Sequence, residues 1–259
     1  MCQILDECRW LFNHFLEQRK ELWKQKQESL TLYDQINTLS TLKKEHTSLN
    51  IVHSQVLQNV AVRIDLAFKA FFRRVKAGEK PGYPRFRGAG WYDSFTYPQV
   101  GFAINNNTVT LSKMGIVKAK IHRQASMPKT CCVRRTATGK WFVSFTCEIE
   151  DSPLPESKEV TGIDVGLESF ATLSDGEPIA NPRFFRLNEK ALAKAQRKLS
   201  KLEKGTSQRH KACKVVSHIH ERIASRRSNF AHQASRQIVN KFGVIAVEDL
   251  SINQMVHSH

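Results

Sequence analysis

The sequence predicts an α+β multidomain protein, with a helical segment, then a small antiparallel β-barrel, then a mixed α/β part. Three observations predict this order. Apolar residues recur at three- and four-residue spacing in residues 1–77, which indicates amphipathic helices. Between residues 94 and 150 the apolar period changes to two, which indicates strands. After residue 160, two strand-like apolar runs that carry acids enclose a long helical stretch.

The helical segment is predicted to contain helices at 4–28 and 53–76, with shorter helical pieces at 31–49. The apolar stripe of the last helix runs from Val56 to Val75, and we interpret it as core rather than as a surface for stacking bases. The basic residues that end this helix suit a helix C-terminus. They are also candidates for binding nucleic acid: Arg73, Arg74 and Lys76.

Residues 79–90 form a linker punctuated by proline and glycine, in which basic and aromatic residues alternate. Such residues can contact phosphate and stack on bases. An extended connector anchored by Tyr83 and Phe86 explains the pattern equally well, so both interpretations stay open. The candidate nucleic-acid contacts here are Tyr83, Arg85 and Arg87.

Residues 78–150 are predicted to form the barrel, because short strands alternate with turn-forming residues. Arg134 and Arg135, in the fifth predicted strand, are further candidates for binding nucleic acid. The predicted strands are residues 95–97, 101–104, 108–111, 116–122, 130–136 and 141–150.

A polar linker at 151–159 leads into the last predicted part, residues 160–259. Three antiparallel strands, a basic helical hairpin at 187–242 and a final strand are predicted there. The predicted strands are 160–165, 169–173, 178–185 and 244–247, and the helices are 187–204 and 207–242.

The charge of the chain is strongly segregated. The net charge is +16, with +11 in residues 71–135, −7 in residues 136–180 and +13 in residues 181–241. Two basic blocks that flank an acidic one are typical of a protein that holds phosphates and a metal, since solubility alone does not require segregation. The candidates of the second basic block are Arg183, Arg186, Arg197, Lys198, Lys201, Arg226 and Arg227.

Two acids stand out because they lie in apolar runs. Asp164 lies between Gly162 and Gly166 in the first run, and Glu248 ends the last strand. A carboxylate inside a buried strand needs a partner, and a metal ion is the usual one. If the two strands converge, Asp164 and Glu248 could bind Mg²⁺ or Mn²⁺. A structural or nucleotide-binding turn at Asp164, with Glu248 as an ordinary strand-end carboxylate, remains the alternative.

Other classes of protein are disfavoured. No apolar run approaches the ~18 residues of a membrane span, and the N-terminus lacks the pattern of a signal peptide. None of the six cysteines forms a Cys-x-x-Cys pair, so no zinc site is predicted. A cytoplasmic protein with reduced thiols is expected.

Motifs along nearly the whole chain resemble, in the same order, the transposon-encoded OrfB/TnpB family of RNA-guided nucleases, which are related to type V CRISPR effectors. The matching motifs are Cys8-Arg-Trp-Leu-Phe-Asn13, Phe71-Phe-Arg-Arg-Val-Lys-Ala-Gly78, Gly82-Tyr-Pro-Arg-Phe86, Ser94-Phe-Thr-Tyr97, Gly139-Lys-Trp141, Gly162-Ile-Asp-Val-Gly-Leu167 and Val247-Glu-Asp-Leu250.

The resemblance implies a helical recognition segment, a β-barrel wedge domain and a partial RuvC nuclease domain of the RNase H-like type. It implies that Asp164 and Glu248 are the first two acids of a two-metal RuvC endonuclease site, which is incomplete in this chain. The implied partners are a guide RNA from the transposon end and a double-stranded DNA target. A DNA-strand-transferring transposase is a weaker hypothesis, because no tyrosine–histidine arrangement for covalent chemistry is visible.

The chain departs from the family pattern at both ends. The family begins with a strand before the first helix, and it continues past the second acid into a Cys-x-x-Cys zinc element and a third catalytic Asp. Asp249 is a poor substitute for that acid, because adjacent residues of a strand point to opposite faces. We therefore expect a chain truncated at both ends, as a fragment or as a degenerate relative, with incomplete nuclease chemistry. The rival hypothesis is a nuclease-dead, RNA-guided DNA-binding protein or repressor.

Overall fold

The computed structural model describes residues 1–123, 126–150 and 152–250 of the chain. The chain divides into two units, Met1–Glu150 and Asp151–His259. The predicted boundary near residue 77, between the helices and the strands of the first unit, stays a prediction. None of the helices in the described ranges is both long enough and apolar enough to cross a membrane.

Three α-helices begin the first unit: α1 (Cys2–Lys26), α2 (Leu32–Glu45) and α3 (Ser54–Lys76). Helix α2 starts with a capping box, in which the Asp34 N–H donates to Thr31 Oγ1 and the Thr31 N–H donates to Asp34 Oδ2. A short 3₁₀ helix at Thr47–Ile51 then turns the chain into α3.

Six strands follow, and in the described residues they form two separate antiparallel sheets. Sheet order is β1-β5-β6 in the first and β2-β3-β4 in the second. The predicted closed barrel is therefore wrong, because no pairing joins the two short sheets into a ring. The strands are β1 (Ser94–Tyr97), β2 (Phe102–Asn105), β3 (Thr108–Leu111), β4 (Gly115–Lys118), β5 (Thr130–Arg135) and β6 (Trp141–Thr146).

The helices and both sheets of this unit share one apolar core. Phe15 of α1, Ile64 of α3, Phe95 of β1 and Leu111 of β3 are all buried in it. Buried area of this kind is the main stabilising term of the fold. Tyr97 adds a polar link between the sheets, because its hydroxyl donates to the Ser112 carbonyl at 2.9 Å.

The prediction that the whole α3 stripe is core is only half right. Val56, Val60 and Ile64 are buried, but Phe72 and Val75 are exposed. The stripe continues in sequence past the point where the core ends, so periodicity alone could not distinguish its two halves.

The second unit is built on one mixed four-stranded sheet of order β10-β7-β8-β9. Strand β10 pairs with β7 in parallel, whereas the other pairs are antiparallel. Apolar residues on one face pack against Ile238 and Phe242 near the end of α5. The elements are β7 (Val160–Asp164), β8 (Ser169–Leu173), β9 (Pro178–Ala180), α4 (Phe184–Ser200), α5 (Ser207–Lys241) and β10 (Val244–Val247).

Several predicted strands are too long. Strand β4 ends at Lys118 and β6 at Thr146, so the predicted extensions to residues 122 and 150 are wrong. Strand β9 ends at Ala180, because the chain enters α4 at Phe184. Arg183, with a φ of 46°, makes that entry in the left-handed region.

Candidate functional site

The two faces of the mixed sheet differ in character. Ile163 of β7 and Leu173 of β8 belong to the face that packs on α5. Side chains alternate along a strand, so Gly162 and Asp164 lie on the opposite face. Asp164 is exposed there, at the last residue of β7. This carboxylate is therefore on the face opposite the one that packs on Ile238 and Phe242.

Strand β10 places Glu248 beside Asp164. Ala246 lies opposite Gly162 and Val247 opposite Ile163 in the parallel register. Glu248 is the next residue of the chain, so it continues that register opposite Asp164, on the same face. The structure thus brings the two predicted acids together at the carboxyl ends of adjacent parallel strands.

Both acids line an open cleft of about 490 Å³. Little side chain fills it next to the acids, because Gly162 and Ala246, two residues before the carboxylates in the adjacent strands, also line the cleft. Thr172, the cross-strand partner of Asp164, and Ser174 bring hydroxyl groups to the same cleft. Sequence reasoning missed these two residues, since only the strand register shows that they lie on the acid-bearing face.

One detail of the predicted site changes. Asp164 is exposed at a strand end, so the expectation of a buried acid in mid-strand is wrong. The exposed carboxylate can be solvated and does not need a partner to fold. Asp249 lies beyond the end of β10 and, unlike Glu248, does not line the cleft.

The donors of the cleft fit a hard divalent cation. Mg²⁺ prefers oxygen ligands and is commonly held by one or two carboxylates, with waters and substrate phosphates completing its shell. Asp164 and Glu248 provide two carboxylates, and Thr172 provides a neighbouring hydroxyl. Across the described ranges, no group of three or more His, Cys, Asp or Glu side chains is arranged to hold a metal.

The nucleic-acid candidates of the first unit lie mainly at its surface. Every one except Arg135, which is half-buried, is exposed. Arg134 is paired with Asp93 at 3.0 Å, whereas Arg73, Arg74 and Lys76 project from the last turn of α3. Contact between these residues and nucleic acid stays a prediction.

The linker at 79–90 is held to the helices by hydrogen bonds and ring contacts, but most of its side chains remain exposed. Asn13 of α1 accepts from the Arg87 N–H at 2.7 Å and donates to the Arg87 carbonyl at 2.9 Å. The Tyr83 ring packs edge-on against Phe68 and Phe71 and remains 44% exposed. The structure therefore supports the anchoring interpretation and leaves the nucleic-acid interpretation open.

The helices α4 and α5 form the long basic hairpin of the second unit. Arg209 joins them, because its Nη1 donates to the carbonyls of Leu199 and Leu202 at 3.0 and 2.6 Å. Arg186 is paired with Glu189 at 3.1 Å. Each candidate of this hairpin region is exposed: Arg183, Arg186, Arg197, Lys198, Lys201, Arg226 and Arg227.

Comparison with known proteins supports a family assignment. Residues 144–259 match the OrfB_IS605 family model, which is described as "Probable transposase". A "Putative RNA-guided DNA endonuclease" of Streptomyces pristinaespiralis is 32% identical over 96% of this chain and 62% of its own length. The "Putative RNA-guided DNA endonuclease InsQ" of Escherichia coli K12 is 30% identical over 100% of this chain and 64% of its own length.

The chain thus spans a little under two thirds of these relatives. Two solved structures are also similar. A CRISPR-Cas12f ternary complex has a TM-score of 0.40 and a Cas12f1–sgRNA–target DNA complex has 0.37, both at 14% identity and 96% coverage of this chain. The matched region spans 62% of the first solved chain and 68% of the second. The family match over residues 144–259 and the two relatives show that this chain is similar to the OrfB family of insertion-sequence transposases.

Proposed function

We propose that this protein takes part in RNA-guided DNA cleavage, with Asp164 and Glu248 as the ligands of a catalytic Mg²⁺ or Mn²⁺. The observation that carries the proposal is that the two carboxylates share one open cleft at adjacent strand ends. The names of the two relatives agree with such an activity. The second unit would then be the RNase H-like (RuvC) part of the nuclease.

Each group of the cleft has a distinct task in this proposal. Asp164 and Glu248 would hold the cation between them, and the small residues Gly162 and Ala246 would leave room for a phosphodiester. Thr172 could donate a hydrogen bond to its oxygens, whereas the Ser174 hydroxyl already makes a 3.2 Å hydrogen bond with the Thr161 hydroxyl. The bound metal would supply an activated water and a positive charge for the leaving oxygen.

The basic surfaces would hold the polynucleotides. RNA-guided proteins bind the guide–target duplex through its backbone and leave the reading of sequence to base pairing. The blocks at 71–135 and 181–241, with net charges of +11 and +13, provide cations for that purpose. A guide RNA from the transposon end and a double-stranded DNA target are the proposed partners.

The test is the incubation of the full chain with guide RNA, a guide-matched plasmid and Mg²⁺. The proposal predicts that any guide-dependent cleavage is abolished by Asp164→Ala and by Glu248→Ala and is retained by Asp249→Ala. Cleavage that survives Asp164→Ala would contradict the assignment of Asp164. Guide-dependent binding without cleavage would support the alternative, an RNA-guided DNA-binding protein or repressor.

A further inference from the structure

A second cleft, in the first unit, is not explained by the carboxylate site. It measures about 630 Å³ and lies between the start of α1, the turn at residues 88–93 and the end of β5. We call it the Trp91 cleft, and the residues that matter for its chemistry are Cys2, Arg9, Trp91, Asp93, Arg134 and Arg135. Its volume is in the range of sites for small organic ligands, about 300–1,000 Å³.

The aromatic wall of the cleft is Trp91, which is 76% exposed. Its backbone N–H donates to the Gly88 carbonyl at 3.1 Å, and Gly90 has a φ of 78°, which favours glycine. The next residue, Tyr92, is buried and has the Arg63 guanidinium 5.5 Å from its ring centre. A tight turn with a buried anchor therefore holds an exposed indole at the cleft.

The cleft also offers cationic donors. The Arg135 guanidinium lies 6.0 Å from the Trp141 ring centre and donates to Cys2 Sγ at 3.6 Å. Within the described residues it has no carboxylate partner. Arg9 Nε is buried without a hydrogen bond, 3.7 Å from Asp6 Oδ1. Arg134 differs, because Asp93 already pairs with it.

An exposed indole that shares a cleft with guanidinium groups is typical of sites that bind single-stranded nucleic acid. Bases stack on aromatic rings regardless of sequence, and arginine holds the adjoining phosphate. A lone exposed tryptophan needs no explanation by itself. In the Trp91 cleft, an exposed indole ring, the Arg135 guanidinium and a volume large enough for a ligand occur together.

We propose that the Trp91 cleft binds one unpaired nucleobase of a single-stranded polynucleotide, with the base stacked on Trp91 and its phosphate at Arg135. The proposal deepens the proposed function, on which it rests for the class of partner. The strand could be RNA or DNA, since the stacking chemistry is the same for both.

The experiment measures binding of the full chain to fluorescein-labelled 12-nucleotide single strands, in parallel RNA and DNA arms. Trp91→Ala is compared with Trp91→Phe, which keeps a ring, and with Trp23→Ala. Trp23 is a matched control, because it is 55% exposed but lies on α1 outside the cleft. Thermal melting checks that each variant remains folded.

We expect Trp91→Ala to weaken binding about tenfold in at least one arm, as loss of one stacked base does. Trp91→Phe and Trp23→Ala should bind like the wild type. A scan of single abasic sites should lower the affinity of the wild type at one position but leave Trp91→Ala unaffected. The arm that shows the loss identifies the strand.

If Trp91→Ala binds the single strands as tightly as Trp23→Ala does in both arms, the inference is overturned and the proposed function remains intact. Failure of the wild type to bind any strand, with or without a guide, would count against both.

Discussion

Asp164 and Glu248 directly follow Ile163 and Val247, which lie opposite each other on two parallel strands. Their carboxylates therefore lie side by side on one face of the sheet, although 84 positions separate them in the sequence. The hairpin of α4 and α5 makes the crossover that returns the chain to β7 in parallel. The position of Glu248 beside Asp164 thus depends on the residue at which β10 starts to pair with β7.

Gly243 determines that beginning. A Cβ on this residue would overlap the carbonyl oxygen of Ser157, and the Gly243 N–H donates to the Glu159 carbonyl at 2.9 Å. We expect Gly243→Ala to destabilise the second unit by about 1–3 kcal/mol, because backbone must move to admit the methyl group. Thermal melting, with hydrogen exchange followed at β10, measures the effect.

Gly162→Ala is the matched control in the same sheet. Its added Cβ would meet only Ser174 Cβ, at 3.9 Å, which is ordinary contact. This variant should keep its stability, since a strand tolerates alanine at least as well as glycine. Equal melting curves for Gly243→Ala and the wild type would show that the approach of Ser157 does not constrain β10.

Arg63 joins α3 to the first sheet. Its guanidinium donates to the Ser94 carbonyl at 2.7 Å and to Thr96 Oγ1 at 3.0 Å, and its Nε donates to Asn59 at 3.1 Å. Arg63→Met should lower the free energy of unfolding by about 2–4 kcal/mol, because several acceptors lose a charged donor. Denaturant unfolding measures the change.

Lys69→Met on the same helix is the control for loss of charge. The Lys69 side chain is 73% exposed and pairs with Asp65 at 2.9 Å. Asp65, which is 15% exposed, keeps Arg19 as a partner at 3.5 Å, and a pair made with an exposed lysine contributes about 1 kcal/mol or less, so this variant should unfold almost like the wild type. Equal losses in the two variants would refute a special role for Arg63.

The thiols should differ sharply in reactivity. Cys8 and Cys131 have no exposed surface, and burial raises the pKa of each thiol to about 12. Cys2 and Cys213 are exposed. Because only the thiolate is nucleophilic, iodoacetamide at pH 8 should modify the exposed pair first and the buried pair only after unfolding. Mass spectrometry of peptides over time would reveal the order, and early labelling of Cys8 would contradict the packing of α1.

The elements themselves were well predicted from the sequence. The strands at 169–173 and 244–247 have the predicted bounds, because apolar runs with clear turn signals specify them. The helices were found to within a few residues, since their apolar spacing is strong. The pairing of Asp164 with Glu248 could be proposed as a hypothesis, but only the parallel register brings the two residues together.

The predictions that proved wrong concern features that long-range packing determines. The exposure of Phe72 follows from where the core ends, and the two separate sheets follow from which strand edges pair. Neither is encoded in a local pattern. Thr172, Arg63 and Trp91 were missed for the same reason, because each gains its role from residues distant in the sequence.

The measurement that tests the central claim most directly is Mn²⁺ binding to the full chain, followed by electron paramagnetic resonance. Asp164→Asn and Glu248→Gln should each weaken Mn²⁺ binding at least about tenfold, because loss even of a group that only orients a metal ligand costs that much. Asp249→Asn should bind Mn²⁺ like the wild type, because Asp249 does not line the cleft. Unchanged affinity in Asp164→Asn, or an equal loss in Asp249→Asn, would contradict a metal centre shared by Asp164 and Glu248.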